Sequence, residues 1–357
     1  MKKCTKKLVI SVLITATFIF LTNSLCYAGQ NANELKENDF FTLRIIQTND
    51  IHGQLYKLPQ FATIINYERG RFGNLLLFDC GDIYKRGYLE KHEALPEIEI
   101  MGTIKYDAMV LGNNDFKTKN MKEHGDRVLN NIVDKLTNHG IDVLCSNVRY
   151  ADGDPTTGDQ YPYKDSTKKE IRSENAGKLL GGVKPYIIKN VRGLKVGVIG
   201  VTGPKPFVRG YELDKDFFSP VKAVKKIAKE LKTSGKADII IVLSHCGIEI
   251  DDKISSATYK ESKSESEKKL CADAILSADD HYNFQKPIWK SKGDKRSTPI
   301  IQNGGEKNAT IGYIDLMLQK KNGKFELVNF SGNQFEIDDF TEKDLSVLEI
   351  IKKWENK

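Results

Sequence analysis

Cysteine is scarce in this sequence of 357 residues, which contains six, two of them within the first 28 positions. Of the other four, Cys80, Cys145 and Cys246 end apolar runs and Cys271 precedes one. These positions favour small buried side chains over a structural disulfide. Cys80 with Cys145 is the first pair to test for one, because an exported chain could oxidise its thiols.

The sequence also lacks a strong excess of charge of either sign. It has 55 Lys and Arg against 48 Asp and Glu, a formal net charge of +7. The first 28 residues hold four lysines and no acid, so removing them lowers the charge from +7 to +3. This is too mild to indicate nucleic acid as a partner. No internal repeat is visible.

The first 28 residues have the features of a signal segment. Four lysines precede an apolar stretch over residues 8–21, and Cys26-Tyr27-Ala28 resembles a cleavage site. We expect export to a periplasm or the exterior, with no stable membrane anchor after cleavage; an uncleaved anchor is the alternative. The residues before Cys26 do not form a lipid-attachment motif.

The rest of the chain alternates apolar runs with amphipathic segments, which predicts an α/β fold. Strands are expected at 43–47, 75–78, 108–111, 141–144, 186–191, 194–201, 239–243, 274–276, 300–301, 311–317 and 325–330, and helices at 58–67, 98–104, 128–136, 221–231 and 345–354. The polar stretches 150–181 and 253–268 are expected at the surface, the second as a loop or solvated helix. One domain is expected over 42–335, followed by a C-terminal helical segment, 340–357.

Short polar motifs follow several of these apolar runs. They are Asp50-Ile51-His52, Gly81-Asp82, Gly112-Asn113-Asn114-Asp115, Ser244-His245, Asp279-Asp280-His281 and Gln302-Asn303-Gly304-Gly305. Open α/β sheets bind ligands where their strands end. Carboxylate, amide and imidazole groups in this combination suit two divalent ions held close together.

Each motif taken alone has an ordinary structural explanation. Asp50 could cap a turn beside a bystander His52, Asp82 and Asn113 are common turn residues, and His245 could be a capping histidine. Asp279 and His281 have an ordinary explanation too, since two carboxylates and a histidine, as in 279–281, also occur in plain loops. The order and strand context of all the motifs favour a shared metal site.

At these motifs the chain resembles the N-terminal domain of the 5′-nucleotidase family, within the calcineurin-like metallophosphoesterases. The resemblance covers roughly residues 42–335 and rests on residues 47–53, 78–82, 111–113, 243–247, the Asp280-His281 region and the strand phrase 195–202. It implies a four-layer α/β/β/α sandwich of two mixed sheets with a dinuclear metal centre.

The resemblance also implies the ligands of each ion. One ion would be bound by Asp50, His52, Asp82 and His281, and the other by Asp82, Asn113, His245 and Asp279. A metal-bridging hydroxide would attack phosphorus. The ions could be Mn²⁺, Mg²⁺, Zn²⁺ or Ca²⁺.

Two positions depart from the family motifs. Asn114 stands where the family has a histidine that stabilises the transition state or protonates the leaving group, next to the acid Asp115; these two are the candidate catalytic residues. Asparagine cannot deliver a proton at neutral pH, and loss of a positioned acid removes roughly 10²–10⁴-fold in rate. Asp279 replaces a histidine ligand and favours harder ions than Zn²⁺.

The predicted function is an exported, metal-dependent phosphoesterase that hydrolyses small phosphate esters, plausibly nucleotides, with good leaving groups favoured. Full-length relatives carry a second domain that grips the nucleoside; this sequence ends at Lys357, which puts nucleotide specificity in doubt. The first alternative is a catalytically impaired relative that binds metal or a phosphate ligand. A second is an interaction protein that uses the charged surface stretches.

Overall fold

The computed structural model of the chain describes residues 36–116, 127–154, 174–205, 215–261, 267–292, 295–305 and 310–357. The expected signal segment, 1–28, lies outside the described residues, as does much of the polar stretch 150–181. None of the described helices is both long and apolar enough to cross a bilayer.

Two large sheets form the centre of the fold. The first has the strand order β17-β16-β1-β2-β3-β4 and the second β15-β12-β9-β7-β6. The strands of the first sheet are β1 (Phe40–Thr48), β2 (Leu75–Asp79), β3 (Ala108–Val110), β4 (Asp142–Leu144), β16 (Thr310–Lys321) and β17 (Lys324–Glu336). Those of the second are β6 (Tyr186–Val191), β7 (Leu194–Thr202), β9 (Ile239–His245), β12 (Ala274–Ser277) and β15 (Ile300–Gln302).

Three smaller two-stranded ladders lie outside these sheets. They pair β5 (Val148–Tyr150) with β8 (Lys215–Phe217), β10 (Thr258–Tyr259) with β11 (Lys269–Leu270), and β13 (Ser291–Lys292) with β14 (Lys295–Arg296). The described helices are α1 (Leu58–Arg71), α2 (Leu95–Ile104), α3 (Arg127–Asn138), α4 (Pro220–Thr233), α5 (Ile248–Ser255) and α6 (Leu345–Glu355), with 3₁₀ turns at Leu55–Lys57 and Glu90–His92.

Three buried cores separate four layers. Alternate side chains of β1 and β9, such as Leu43 and Ile241, fill the core between the two sheets. The opposite faces of the same strands, with Ile46 and Val242, pack under the helices on either side. This alternation follows from the two-residue period of a strand, and it confirms the predicted four-layer α/β/β/α sandwich.

Most predicted elements agree with the structure to within a few residues. The hairpin between β6 and β7 turns at Arg192 and Gly193, with φ of 54° and 88°, as a two-residue hairpin loop requires. The prediction for 253–268 was incomplete, because Lys253 lies in α5 and Thr258 lies in β10. The cysteines at 80, 145, 246 and 271 are buried and free within the described part of the chain, in agreement with their interpretation as small core residues.

Candidate metal centre

The carboxyl ends of parallel strands bring the polar motifs together. Strands β1 and β2 are parallel, with Thr48 opposite Asp79, so the loops that follow them run side by side. Asp50 N–H donates to Gly81 O at 3.0 Å and His52 N–H to Asp82 O at 2.9 Å. In the second sheet, β9 and β12 are also parallel and deliver His245 and the 279–281 motif to the same edge.

Five of the predicted ligands have left-handed backbone conformations. The φ angles are 50° at Asp50, 48° at His52, 59° at Asp82, 85° at Asp279 and 56° at His281. Residues with a Cβ atom rarely adopt such angles, and each instance costs of order 1–3 kcal/mol. Backbone outliers of this kind cluster at functional sites, so their concentration here indicates one.

Glycine is required where two of these loops approach each other. A Cβ atom on Gly81, whose φ is 90°, would lie 2.6 Å from Gly112 N and 2.9 Å from His245 Nδ1. A Cβ on Gly305, with φ of 59°, would lie 2.7 Å from Asp50 Cβ. The tight approach is what lets ligands from distant parts of the chain reach one point.

Asp50 presents one carboxylate oxygen to a cluster of imidazoles. Its Oδ2 accepts hydrogen bonds from Asn49 Nδ2 at 2.7 Å and from Asp279 N–H at 3.1 Å. Its Oδ1 is buried and has no hydrogen-bond partner among the described residues. The Nε2 atoms of His281, His52 and His245 lie 3.4, 3.8 and 3.9 Å from this oxygen. A buried oxygen without a donor, ringed by imidazole nitrogens, fits a bound cation.

Asp82 lies between the two halves of the cluster. Its Oδ2 is 3.0 Å from Asn113 Nδ2, 3.4 Å from His245 Nε2 and 3.7 Å from His52 Nε2. Both candidate metal groups, Asp50 with His52 and His281, and Asp50 with Asp82 and His245, have their ligand atoms within 4.8 Å of one another. Asp50 belongs to both groups, and Asp82 lies close to a histidine of each, His52 and His245.

A backbone contact fixes the orientation of His245. Its Nδ1 donates to Cys80 O at 2.6 Å, so Nε2 faces Asp82 and the other ligands. Orientation of a ligand histidine through its second nitrogen is common in metal sites. The rings of His52 and His281 stack at 5.3 Å between centroids, which holds these two histidines side by side.

The charges of the cluster perturb its titration. Burial raises the pKa of Asp82, but His245, His52 and the backbone N–H of Asn114 outweigh this and hold that pKa below its ordinary value. Burial lowers the pKa of His52 to about 3, so its imidazole is neutral at neutral pH. Burial lowers the pKa of His245 also, but the nearby Asp82, Asp50 and Asp279 carboxylates dominate and raise it well above its ordinary value. The second proton on His245 thus offsets the charge of these carboxylates, a role that a divalent ion would take over.

Asn114 and Asp115 both contact the Asp82 loop. Asn114 donates its backbone N–H to Asp82 Oδ1 at 2.6 Å and its side-chain amide to Oδ2. Asp115 is buried and accepts from the N–H groups of Gly112, Asp82 and Ile83 at 2.7, 2.9 and 3.3 Å. The contacts of Asp115 tie two loops together, which is what a positioning residue does.

Two of the other predicted motif residues support neighbouring elements. Asp280 Oδ2 accepts from Ile248 N–H at 2.6 Å, at the start of α5. The amide of Asn303 donates to Gln47 O at 2.7 Å, and its backbone N–H donates to Asn49 Oδ1 at 3.2 Å. These contacts hold the loops that carry Asp50 and His281.

Two basic residues of the site were missed in the sequence. The guanidinium of Arg86 contacts His52 Nε2, and Lys205 Nζ lies 2.5 Å from Asp279 Oδ2. A signal was present for Lys205, because it follows the predicted strand at 194–201 by only a few residues, as the ligands follow theirs. Nothing in the local sequence distinguishes Arg86 from other loop arginines.

Comparisons with known proteins show which family and fold the chain matches. A profile of the calcineurin-like phosphoesterases matches residues 43–283. The chain is 25% identical to a snake venom 5′-nucleotidase of Naja atra, over 86% of this chain and 55% of that protein. It is 22% identical to the trifunctional nucleotide phosphoesterase protein YfkN of Bacillus subtilis, over 97% of this chain and 24% of that protein.

A solved structure also shares the fold. The 5′-nucleotidase precursor from Thermus thermophilus superposes with a TM-score of 0.66 at 20% identity, covering 88% of this chain and 59% of that one. The chain thus spans about half or less of the length of the relatives it matches in sequence.

Proposed function

The chain belongs to the calcineurin-like phosphoesterase family, and we propose that it is an exported, metal-dependent phosphoesterase that hydrolyses small phosphate esters, nucleotides among them. The observation that carries this proposal is the Asp50 Oδ1 atom, buried without a donor from the described residues and faced by three imidazole nitrogens. Such an arrangement is unfavourable for a protein alone and suitable for a divalent ion.

The contacts support two ion positions that share Asp82. Asp50, His52 and His281 would complete the first, and Asn113, His245 and Asp279 the second. A half-turn of the Asn113 amide would place its oxygen where its nitrogen contacts Asp82, His245 and Asp279. A pair of divalent ions supplies positive charge for the phosphoryl group and lowers the pKa of bound water.

The donor set bears on which ions would bind. Three carboxylates, Asp50, Asp82 and Asp279, contribute hard oxygen donors beside three histidines. The carboxylate at position 279 favours Mn²⁺, Mg²⁺ or Ca²⁺ over Zn²⁺.

The chain's own groups set the limits of the chemistry. Asn114 is engaged with Asp82 through both of its donors, and its amide cannot transfer a proton to a leaving group. Substrates whose leaving group departs without protonation, such as aryl phosphates, should react faster than alkyl phosphates. We propose that Asp115 acts on the reaction only by ordering the Asp82 loop.

The names of the relatives support nucleotides as a substrate class, because the snake venom protein is a 5′-nucleotidase and YfkN a nucleotide phosphoesterase. The proposed export rests on the lysine-rich start and apolar stretch of residues 1–28. The alternative, a catalytically impaired metal or phosphate binder, draws support from Asn114 and Asp279. The convergence of all seven candidate ligands at one point supports the enzyme instead.

The test is turnover by the purified chain without residues 1–28. With Mn²⁺ supplied, p-nitrophenyl phosphate, its bis-ester and AMP are assayed with and without EDTA. We expect hydrolysis that EDTA abolishes and that Asp50→Asn lowers at least 100-fold, with Asp142→Asn as a control remote from the site. Metal uptake without turnover of any ester would support the binder and refute the enzyme.

A further inference from the structure

Strand β7 delivers Lys205 to the metal cluster. It runs parallel to β9 with Thr202 opposite His245, and Gly203 N–H donates to His245 O at 2.8 Å. A Cβ atom on Gly203 would lie 3.0 Å from that oxygen and 3.0 Å from Cys246 Cα. The chain therefore crosses close over the end of β9, and Lys205 follows two residues later.

The two oxygens of Asp279 face different partners. Oδ1 lies 3.2 Å from Asn113 Nδ2 and 3.7 Å from His245 Nε2, among the candidate ligand atoms. Oδ2 lies 2.5 Å from Lys205 Nζ. An ion can thus bind at Oδ1 while the ammonium group stays at Oδ2.

Exposure differs sharply across this ion pair. The Asp279 side chain is 4% exposed, whereas that of Lys205 is 41% exposed. The carboxylate therefore holds the ammonium at the boundary between the candidate ligands and solvent. A cation fixed there attracts phosphate oxygens.

The residue at position 114 supplies no positive charge to the candidate ligands. The amide of Asn114 is neutral and contacts Asp82, so this residue brings no positive charge to a phosphoryl group. Lys205 brings a positive charge to the same group of candidate ligands from the end of a different strand.

We propose that Lys205 is a phosphate ligand of this site: its ammonium, oriented by Asp279, donates a hydrogen bond to a non-bridging oxygen of the bound ester. The proposal rests on the proposed phosphoesterase function and narrows its substrate class. A fixed positive charge binds the dianion of a phosphomonoester more strongly than the monoanion of a diester.

The test is binding of inorganic phosphate to the Mn²⁺-loaded full chain, measured by titration calorimetry. Metal content is measured on the same samples. Lys205→Met should weaken phosphate binding roughly tenfold or more, the size of a charge-assisted hydrogen bond, while Lys205→Arg should stay within about threefold of the wild type because it keeps the charge and the donor.

Lys184→Met is the matched control. Lys184 Nζ lies 2.5 Å from Asp142 Oδ1 with a side chain 52% exposed, so it loses a comparable ion pair away from the cluster and should bind phosphate as the wild type does. Wild-type phosphate affinity in Lys205→Met at equal metal content would overturn the assignment and leave the proposed function standing. Loss of metal from Lys205→Met would also overturn the assignment, because Lys205 would then support metal binding and not bind phosphate directly. Failure of the loaded wild type to bind phosphate would overturn the assignment of Lys205, whereas the proposed function is tested separately by turnover of the esters.

Discussion

Replacing Asp82 by asparagine should remove the group that the two proposed ion positions share. Its Oδ2 lies within 3.7 Å of ligand atoms from each half of the cluster. With an effective dielectric constant of about 20, a unit charge and a divalent ion 4 Å apart attract by about 8 kcal/mol. Lost hydration offsets most of this. If one third of that attraction remains as net binding energy, about 2.7 kcal/mol, each ion should bind to Asp82→Asn roughly 100-fold more weakly than to the wild type.

The assay is Mn²⁺ titration of the metal-free chain by calorimetry. The wild type should bind two ions, and Asp82→Asn should show weaker binding at both positions because the shared carboxylate is lost. Asp142→Asn is the control, since Asp142 begins β4 and thus lies at the opposite end of the strand from the site. Weakening of only one ion, with the second unaffected, would refute the shared role of Asp82.

Three further predictions concern residues around the cluster. Arg86→Gln should raise Mn²⁺ affinity in the same titration, because the guanidinium contacts His52 Nε2 and would compete with an ion there; unchanged affinity would contradict this. Asp115→Asn should lower the free energy of unfolding by about 1–3 kcal/mol in urea, because the introduced NH₂ opposes backbone donors; wild-type stability would exclude its loop-ordering role. Glu97→Gln should flatten the pH dependence of stability: burial raises the pKa of Glu97 from 4.5 to about 8, so its contribution is present below pH 4.5 and is lost as the pH rises towards 8. Urea melts of the metal-free protein at pH 5 and pH 8 measure the free energy of unfolding. If it falls between these pH values as much in Glu97→Gln as in the wild type, the role given to Glu97 is wrong.

Strands, and the candidate ligands that follow them, were predictable where the signal is local. The run Ile239–His245 is buried throughout, and continuous apolar runs of that length are typical of strands covered on both faces. His245 was identified as a candidate because it ends such a run. Asp82 was identified because it follows Gly81, just after the apolar run at 75–78.

What the sequence did not reveal depends on contacts between distant residues. Helix α5 was missed because Asp280, 32 positions away, supplies the acceptor for Ile248 N–H at its start. The pairing of Lys205 with Asp279 likewise depends on two strands meeting, and no local pattern specifies that a lysine will face a carboxylate 74 positions later. The left-handed backbone of Asp50 and His52 is imposed by neighbouring loops in the same way.

Anomalous diffraction from crystals of the Mn²⁺-loaded chain tests the central claim most directly, because it locates each ion. We predict two peaks, one on either side of the Asp82 carboxylate, the first contacting His281 and the second His245. A single peak away from Asp82, or two ions that share no carboxylate, would contradict the account.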